Sequence, residues 1–366
     1  MTETLVRISP LKDFFEQIGA SFFEDEGTLK IKSFGNYDAE LHSLYEGVAL
    51  RDISVEGVLE LKGNDVLDLL NRISTNSVKD ILKEDIKDTI FVTEKGRIID
   101  VAKIINFGSH QILLTSAAQQ LKVLRWIQKY VITDDVDIYD ITGKFSIFEL
   151  IGPQADSFIT LVCGKVVNEI RPNKFRIIDA EGIIFFLMKL EDVNNNLKFL
   201  VIAEPNNGKK VIEFMMNNTG PFNFNLVGED AYETFRIERG IPKAPNELND
   251  DFNPHETKII RLVDFKKGCY IGQEVIARLD TYQKTQKFLT GLKFEELPKT
   301  GKTYKLTDDE GNDAGTVTSF ISSPKCNKVI GLGYVRKFYL EDGTILNAAS
   351  ENGTIKTTVH SLPFKK

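Results

Sequence analysis

The sequence predicts an α+β protein: two related ferredoxin-like units followed by a C-terminal all-β module, a small barrel or a jelly roll. Three observations predict it. Residues 57–70 echo residues 146–159. The same order of apolar runs follows each copy. From about Phe288 onward, short β-like runs alternate with turns.

The echo pairs "GVLELKGNDVLDLL" (57–70) with "SIFELIGPQADSFI" (146–159). Each copy opens with a brief apolar run ending at Gly63 or Gly152, which reads as a strand. Apolar residues at helical spacing follow: Val66, Leu69 and Leu70 in one copy, Ala155, Phe158 and Ile159 in the other. Asp65 and Pro153 stand near the two helix starts, where such residues are favoured. "TIFVTEKGRIIDVAKIINF", "QILLTS" and a helix, "AAQQLKVLRWIQKYV", come next. Their counterparts are "KFRIIDAEGIIFFLMKL", "LKFLVIAEP" and "NGKKVIEFMMNN". Each unit thus reads strand–helix–strand–strand–helix. A helix, "EDAYETFRIERG" (229–240), is stopped by Gly240 and Pro242. The loop "IPKAPNELNDDFNPHE" follows, of a length that often signals function. The final runs include "KFLTGLKF", "KTYKLTDDEGND", "GTVTSFIS" and "VIGLGYVR". Domain boundaries are expected at 1–143, 144–287 and 288–366, with the first 45 or so residues packing against another domain.

Composition narrows the function classes. With 366 residues the chain exceeds one compact core. A net charge of −7 argues against a nucleic-acid scaffold, so no direct nucleic-acid binding is expected. Three cysteines give no disulfide framework and fit a reducing compartment. The four histidines lack metal-ligand spacing. The opening "MTETLVRISPLKDFFEQ" has no secretory pattern, and the apolar run "GIIFFLMKL" is too short to span a bilayer. No membrane partner is expected, and the place of action is the cytoplasm.

Chemistry concentrates in "KKGCYIGQEVIAR" (266–278). A thiol works as nucleophile or metal ligand only as thiolate. Lys266 and Lys267 would favour the Cys269 thiolate if they point the same way. Gly268 and Gly272 permit a tight turn with exposed amides, and Gln273 and Glu274 offer polar contacts. A buried structural cysteine beside a turn is the equal alternative on residue chemistry alone. One cysteine cannot hold an iron–sulfur cluster, so a partner would supply the other ligands. Cys163 and Cys326 read as small packing hydrophobes. Asp100, after a Lys-Gly-Arg turn, reads first as a solvated strand residue. Arg236 and Arg239 read as surface ion-pairing residues, and Glu247 and His255 as either cleft-facing or solvated. The Gly-Leu-Gly near the C-terminus precedes no helix and is not a phosphate loop.

"KGCYIGQEVIAR" closely resembles the signature of the YgfZ family, the iron–sulfur-linked branch of the folate-binding GcvT-like proteins. "RIERGIPKAPNEL", "FNPHETKIIRLVDFKKGC", "AGTVTSFISSP" and "IGLGYVR" extend the resemblance over roughly residues 45 to 340. The resemblance implies a GcvT-like cloverleaf of two related α+β units and a C-terminal β-barrel, with a central channel for tetrahydrofolate. It implies support of iron–sulfur enzymes or cluster carriers, including enzymes of tRNA modification. Cys269 would be the functional thiol. Asp100, Arg236, Lys267, Gly268, Tyr270, Gly272, Gln273, Glu274 and Arg278 would bind the reduced folate. Three departures separate this chain from the related aminomethyltransferases. Val101 stands where their second, catalytic carboxylate falls, and a valine accepts no proton. Leu200 stands at their pterin-binding glutamate, and Glu229 replaces an arginine. A tetrahydrofolate-dependent aminomethyltransferase is nevertheless the alternative reading.

Overall fold

A computed structural model describes residues 6–191, 197–299, 304–351 and 353–364. Residues 1–5 of the opening segment, and positions 302–303 of the expected run at 302–313, lie outside the described residues. The chain begins with helix α1 (Lys12–Gln17), strands β1 (Ser21–Asp25) and β2 (Thr28–Ser33), helix α2 (Tyr37–Glu46) and strand β3 (Val48–Asp52). The first repeat comprises β4 (Gly57–Lys62), α3 (Val66–Ile73), β5 (Ile86–Val92), β6 (Ile98–Asn106), β7 (Gln111–Thr115), α4 (Gln120–Gln128) and β8 (Asp137–Asp140). The second comprises β9 (Ser146–Ile151), α5 (Ala155–Cys163), β10 (Lys174–Ala180), β11 (Ile183–Glu191), β12 (Leu197–Ala203), α6 (Pro205–Asn217) and β13 (Phe224–Leu226). Helices α7 (Glu229–Arg239) and α8 (Gln273–Tyr282) bracket the long loop. Strands β14 (Lys287–Phe294), β15 (Lys305–Thr307), β16 (Asp313–Ser323), β17 (Lys328–Arg336), β18 (Ile345–Ser350) and β19 (Gly353–His360) complete the chain.

The duplication is visible in the sheets. The first has strand order β5-β6-β7-β4-β8, the second β10-β11-β12-β9-β3-β13. Remove β3 and the two orders coincide strand for strand. Each is the ferredoxin-like arrangement with one added edge strand, β5 or β10. The sequence reading undercounts strands, with two between the helices and none after. The structure has three between and one after. "TIFVTEKGRIIDVAKIINF" breaks at a turn where Thr93 and Arg97 are hydrogen-bonded through their backbones. The last strands, "DIYD" and "FNL", are too short and polar to carry an apolar signature. Gly63 and Gly152 close equivalent turns at φ +125° and +122°. An added Cβ would lie 1.9 Å from the Asp135 carbonyl oxygen in the first and 2.3 Å from that of Gly47 in the second.

The described chain divides into two compact units. One holds the residues up to Leu69, Val78–Asp88 and Ala102–Tyr232; the other holds Leu70–Ser77, Thr89–Val101 and the residues from Glu233 onward. In the first unit β12 alternates between two cores. Phe199, Val201 and Ala203 join Phe148, Phe158, Ile159, Val211 and Ile212 on the helix side, where Leu11, Phe15 and Ile31 of the N-terminal segment also pack. Leu200 and Ile202 face the other way, against Ile147, Val58, Ile105 and Ile112. A strand buried on both faces is apolar throughout, which explains "FLVIA".

In the second unit the barrel closes in the order β14-β17-β16-β15-β18-β19. Leu292, Phe294, Leu306, Val317, Val335, Leu346 and Val359 fill it. The Gly-Leu-Gly of β17 faces a bulge in β16 between Val317 and Ser319. A Cβ on Gly331 would meet the Ser319 carbonyl oxygen at 2.4 Å, and one on Gly333 the Thr316 carbonyl oxygen at 2.7 Å. Substituting Ala for Gly63 or Gly152 should lower the unfolding free energy by about 1–3 kcal/mol in urea titrations, since each adds backbone strain to a clash. Wild-type stability in both variants would contradict the close approaches.

Candidate functional site

The motif loop is built in the second unit from backbone contacts upward. The Asp264 N–H donates to the Thr75 carbonyl (3.0 Å), the Thr75 hydroxyl to the Leu262 carbonyl (2.7 Å), and the Ile271 N–H to the Arg72 carbonyl (3.1 Å). The Lys267 ammonium donates to the carbonyls of Asn71 (2.6 Å), Ser74 (2.9 Å) and Asn76 (2.6 Å). These carbonyls lie at and just beyond the end of α3, where a helix leaves carbonyls unpaired and favours a cation. Burial pushes the ammonium down to about 8, with Asp264 opposing the fall. Lys267 is therefore turned into a carbonyl cage. The condition set for the thiolate is that both lysines point its way; the Lys267 ammonium is spent on these carbonyls, and Lys266 is exposed.

Gly272 starts α8 at φ +79°, and a Cβ there would lie 2.6 Å from the Thr93 carbonyl oxygen, so only glycine fits. Gly268 is the opposite case, with open space where its side chain would be. Between them Cys269 is exposed and Tyr270 is buried. The Tyr270 ring packs with Ile90, Val92, Ile98, Ala244, Leu248 and Ile276. Its hydroxyl has no hydrogen-bond partner among the described residues, and burial pushes its pKa up to about 12, with Asp264 adding to the rise. The Lys267 ammonium stands 5.2 Å from its ring centre. Gln273 is half-buried at the start of α8; Glu274 and Arg278 are exposed along it. A carboxylate in the first turn suits the helix dipole.

Two other expected site residues are buried. Asp100 is wholly buried in β6, not solvated, and Ile98, Ile99 and Ala102 beside it in the strand are buried as well. Its neighbour Val101 packs against the Tyr270 cluster. Arg236 is neither a surface residue nor available to a ligand. Its guanidinium is 1% exposed and donates to Glu233 (2.7 Å), Glu247 (3.1 Å), the Ser319 hydroxyl (2.9 Å) and the Ile241 carbonyl (3.3 Å). Glu247 is equally buried and also accepts from Ser319 (2.6 Å). Arg239 is exposed, over the Phe235 ring. His255 is half-buried against the Ile276 carbonyl, 3.1 Å away.

Two of the departures also have structural roles. Leu200 sits in the core between the sheets. Glu229 accepts from Arg51 (2.7 Å), whose guanidinium lies 3.4 Å from the Tyr232 ring centre. Cys163 and Cys326 are half-buried against apolar clusters, and burial pushes the Cys163 thiol up to about 12. Among the described residues no group of three or more His, Cys, Asp or Glu is placed to hold a metal, and no helix is long and apolar enough to cross a membrane.

A duplicated α+β sheet pair with a six-stranded closed barrel defines a protein of the GcvT fold. Residues 11–267 match the GCVT N-terminal domain and residues 287–366 the glycine cleavage T-protein C-terminal barrel domain, and the chain belongs to this family. A protein of Arabidopsis thaliana provisionally named a chloroplastic transferase is 26% identical, over 96% of this chain and 79% of its own. The aminomethyltransferase of Desulfitobacterium hafniense is 24% identical, over 100% of this chain and 99% of its own. The crystal structure of the glycine cleavage system aminomethyltransferase T of Bartonella henselae superposes with a TM-score of 0.84 at 19% identity, covering 98% of each chain.

Thiol labelling of the native protein should modify Cys269 at least about tenfold faster than Cys163, read by peptide mass spectrometry. Comparable rates would contradict the exposure of Cys269. Arg236→Ala should cost about 3–5 kcal/mol of unfolding free energy, because it strands a buried carboxylate. Adding Glu247→Gln should recover part of that loss; no recovery would show that packing, not charge, is what Arg236 supplies.

Proposed function

We propose that this chain is a tetrahydrofolate-binding protein that supports the assembly or repair of iron–sulfur enzymes, tRNA-modifying enzymes among them, with Cys269 as its working thiol and the cytoplasm as its place of action. The observation that carries the reading is an exposed cysteine inside an unbroken Lys267–Glu274 motif. The cluster is substrate here: Cys269 offers one ligand, and a carrier or client protein supplies the others.

The residues fit a folate in part. The unpartnered Tyr270 hydroxyl offers a polar contact, and the open space at Gly268 lets a ligand approach the backbone. Asp100, Gln273, Glu274 and Arg278 remain in the proposed folate set, with the backbone at Gly272. Arg236 leaves it because its donors are used, and Lys267 shapes the loop from within its carbonyl cage. Tetrahydrofolate, when bound, supplies an amine that accepts one-carbon units. The chain offers Val101 where the transferases place a carboxylate, and its side chain lies against apolar neighbours.

Complementation of a strain lacking its own YgfZ tests the reading. The wild-type chain should restore iron–sulfur enzyme activity and Cys269→Ala should not; equal rescue removes the thiol from the mechanism. Full-length likeness to aminomethyltransferases and the buried Asp100 favour a second reading, transfer of an aminomethyl carbon to tetrahydrofolate. Ammonia release from an aminomethylated lipoyl carrier separates the two. We expect no turnover above that of Asp100→Asn, and sustained turnover would install the second reading instead.

A further inference from the structure

A cleft of about 520 Å³ opens in the second unit, on the side of α8 that carries Val275 and Leu279. Its size is that of a small-molecule site. In a chain of net charge −7, its wall is basic: Lys95, Arg97, Lys284, Lys287 and Arg336 line it with two carboxylates, Glu256 and Asp313, and Asp251 also pulls on Lys287 from outside the lining. The two carboxylates are already matched. Arg97 donates to Glu256 at 3.2 Å, and the Arg336 Nε donates to Asp313 at 2.9 Å. Lys95 and Lys284 make no ion pair among the described residues. The Lys284 ammonium stands 5.3 Å from the Tyr282 ring centre.

Lys287 is the most informative member. It is half-buried and stands 4.5 Å from the Phe252 ring centre and 5.7 Å from that of Tyr334, two rings stacked 3.5 Å apart. The only hydrogen bond of its ammonium among the described residues is a long one, 3.5 Å, to the Asp251 carbonyl. Burial holds its ammonium below the usual lysine range, against the pull of Glu256. An ammonium held on an aromatic floor, without a carboxylate of its own, is stabilised by an arriving anion.

We propose that this cleft binds a small anion of at least two negative charges, a phosphate or a polycarboxylate, held by Lys95, Lys284 and Lys287, with an apolar part against Val275 and Leu279. The site is independent of the folate reading, so its test uses the full-length chain without folate. Calorimetric titration with inorganic pyrophosphate and with citrate, at low salt, distinguishes the two sources of charge. At least one should bind saturably at one per chain. The double variant Lys95→Gln/Lys287→Gln should weaken that binding at least tenfold. The double variant Lys122→Gln/Lys210→Gln removes the same charge from exposed positions elsewhere and should bind as wild type. Circular dichroism on both variants controls for folding, and Lys95→Gln alone, an exposed position, gives a second reading if the double variant unfolds. The proposal is overturned if neither anion saturates, if the cleft variants bind as tightly as wild type, or if the control pair weakens binding equally.

Discussion

The second unit depends on one buried guanidinium. Arg236 reaches from α7 to the long loop through Glu247 and the Ile241 carbonyl, and to the barrel through Ser319. Glu247 is held a second time through its own backbone, whose carbonyl accepts from the Tyr334 hydroxyl at 2.7 Å. A loop that long cannot hold its shape by regular secondary structure. It is ordered instead by a charge pair taken out of water, an arrangement whose value lies in geometry more than in net stability. With the loop placed, Ala244, Leu248, Ile259 and Val263 form the apolar bed on which Tyr270 and Ile276 rest.

The motif then follows from two requirements met at once. Lys267 satisfies carbonyls that the end of α3 leaves open, so the chain is pinned one residue before the Gly-Cys step. Gly272 admits the Thr93 carbonyl and sets the start of α8. Cys269, between these two fixed points, is held at the surface by its neighbours and not by any bond of its own sulfur. The two residues that look alike in sequence, Lys266 and Lys267, thus divide the work: one stays in solvent and one becomes part of the scaffold.

The sequence was legible where structure repeats or where a turn demands glycine. The echo of 57–70 in 146–159, the strands of the barrel and the turns at Gly63 and Gly152 all express local rules. What it hid was non-local. Nothing in "GRIIDVAK" distinguishes a buried Asp100 from a solvated one, because burial is decided by distant neighbours. Arg236 reads as a helix-surface residue until Glu247 and Ser319, 11 and 83 positions away, come to meet it. The basic cleft is scattered likewise, from Lys95 to Arg336. The strands "DIYD" and "FNL" were invisible because edge and short strands need little apolar surface.

Strand β3 breaks the symmetry of the two repeats. It lies between β9 and β13, antiparallel to one and parallel to the other, yet it precedes the first repeat in the chain. On the ribosome it emerges long before either neighbour exists. The second sheet can therefore close only after the chain has been made as far as Leu226. A nascent chain stalled earlier carries an unpaired strand, with Val48, Ala49 and Leu50 uncovered, that invites misassembly or chaperone capture.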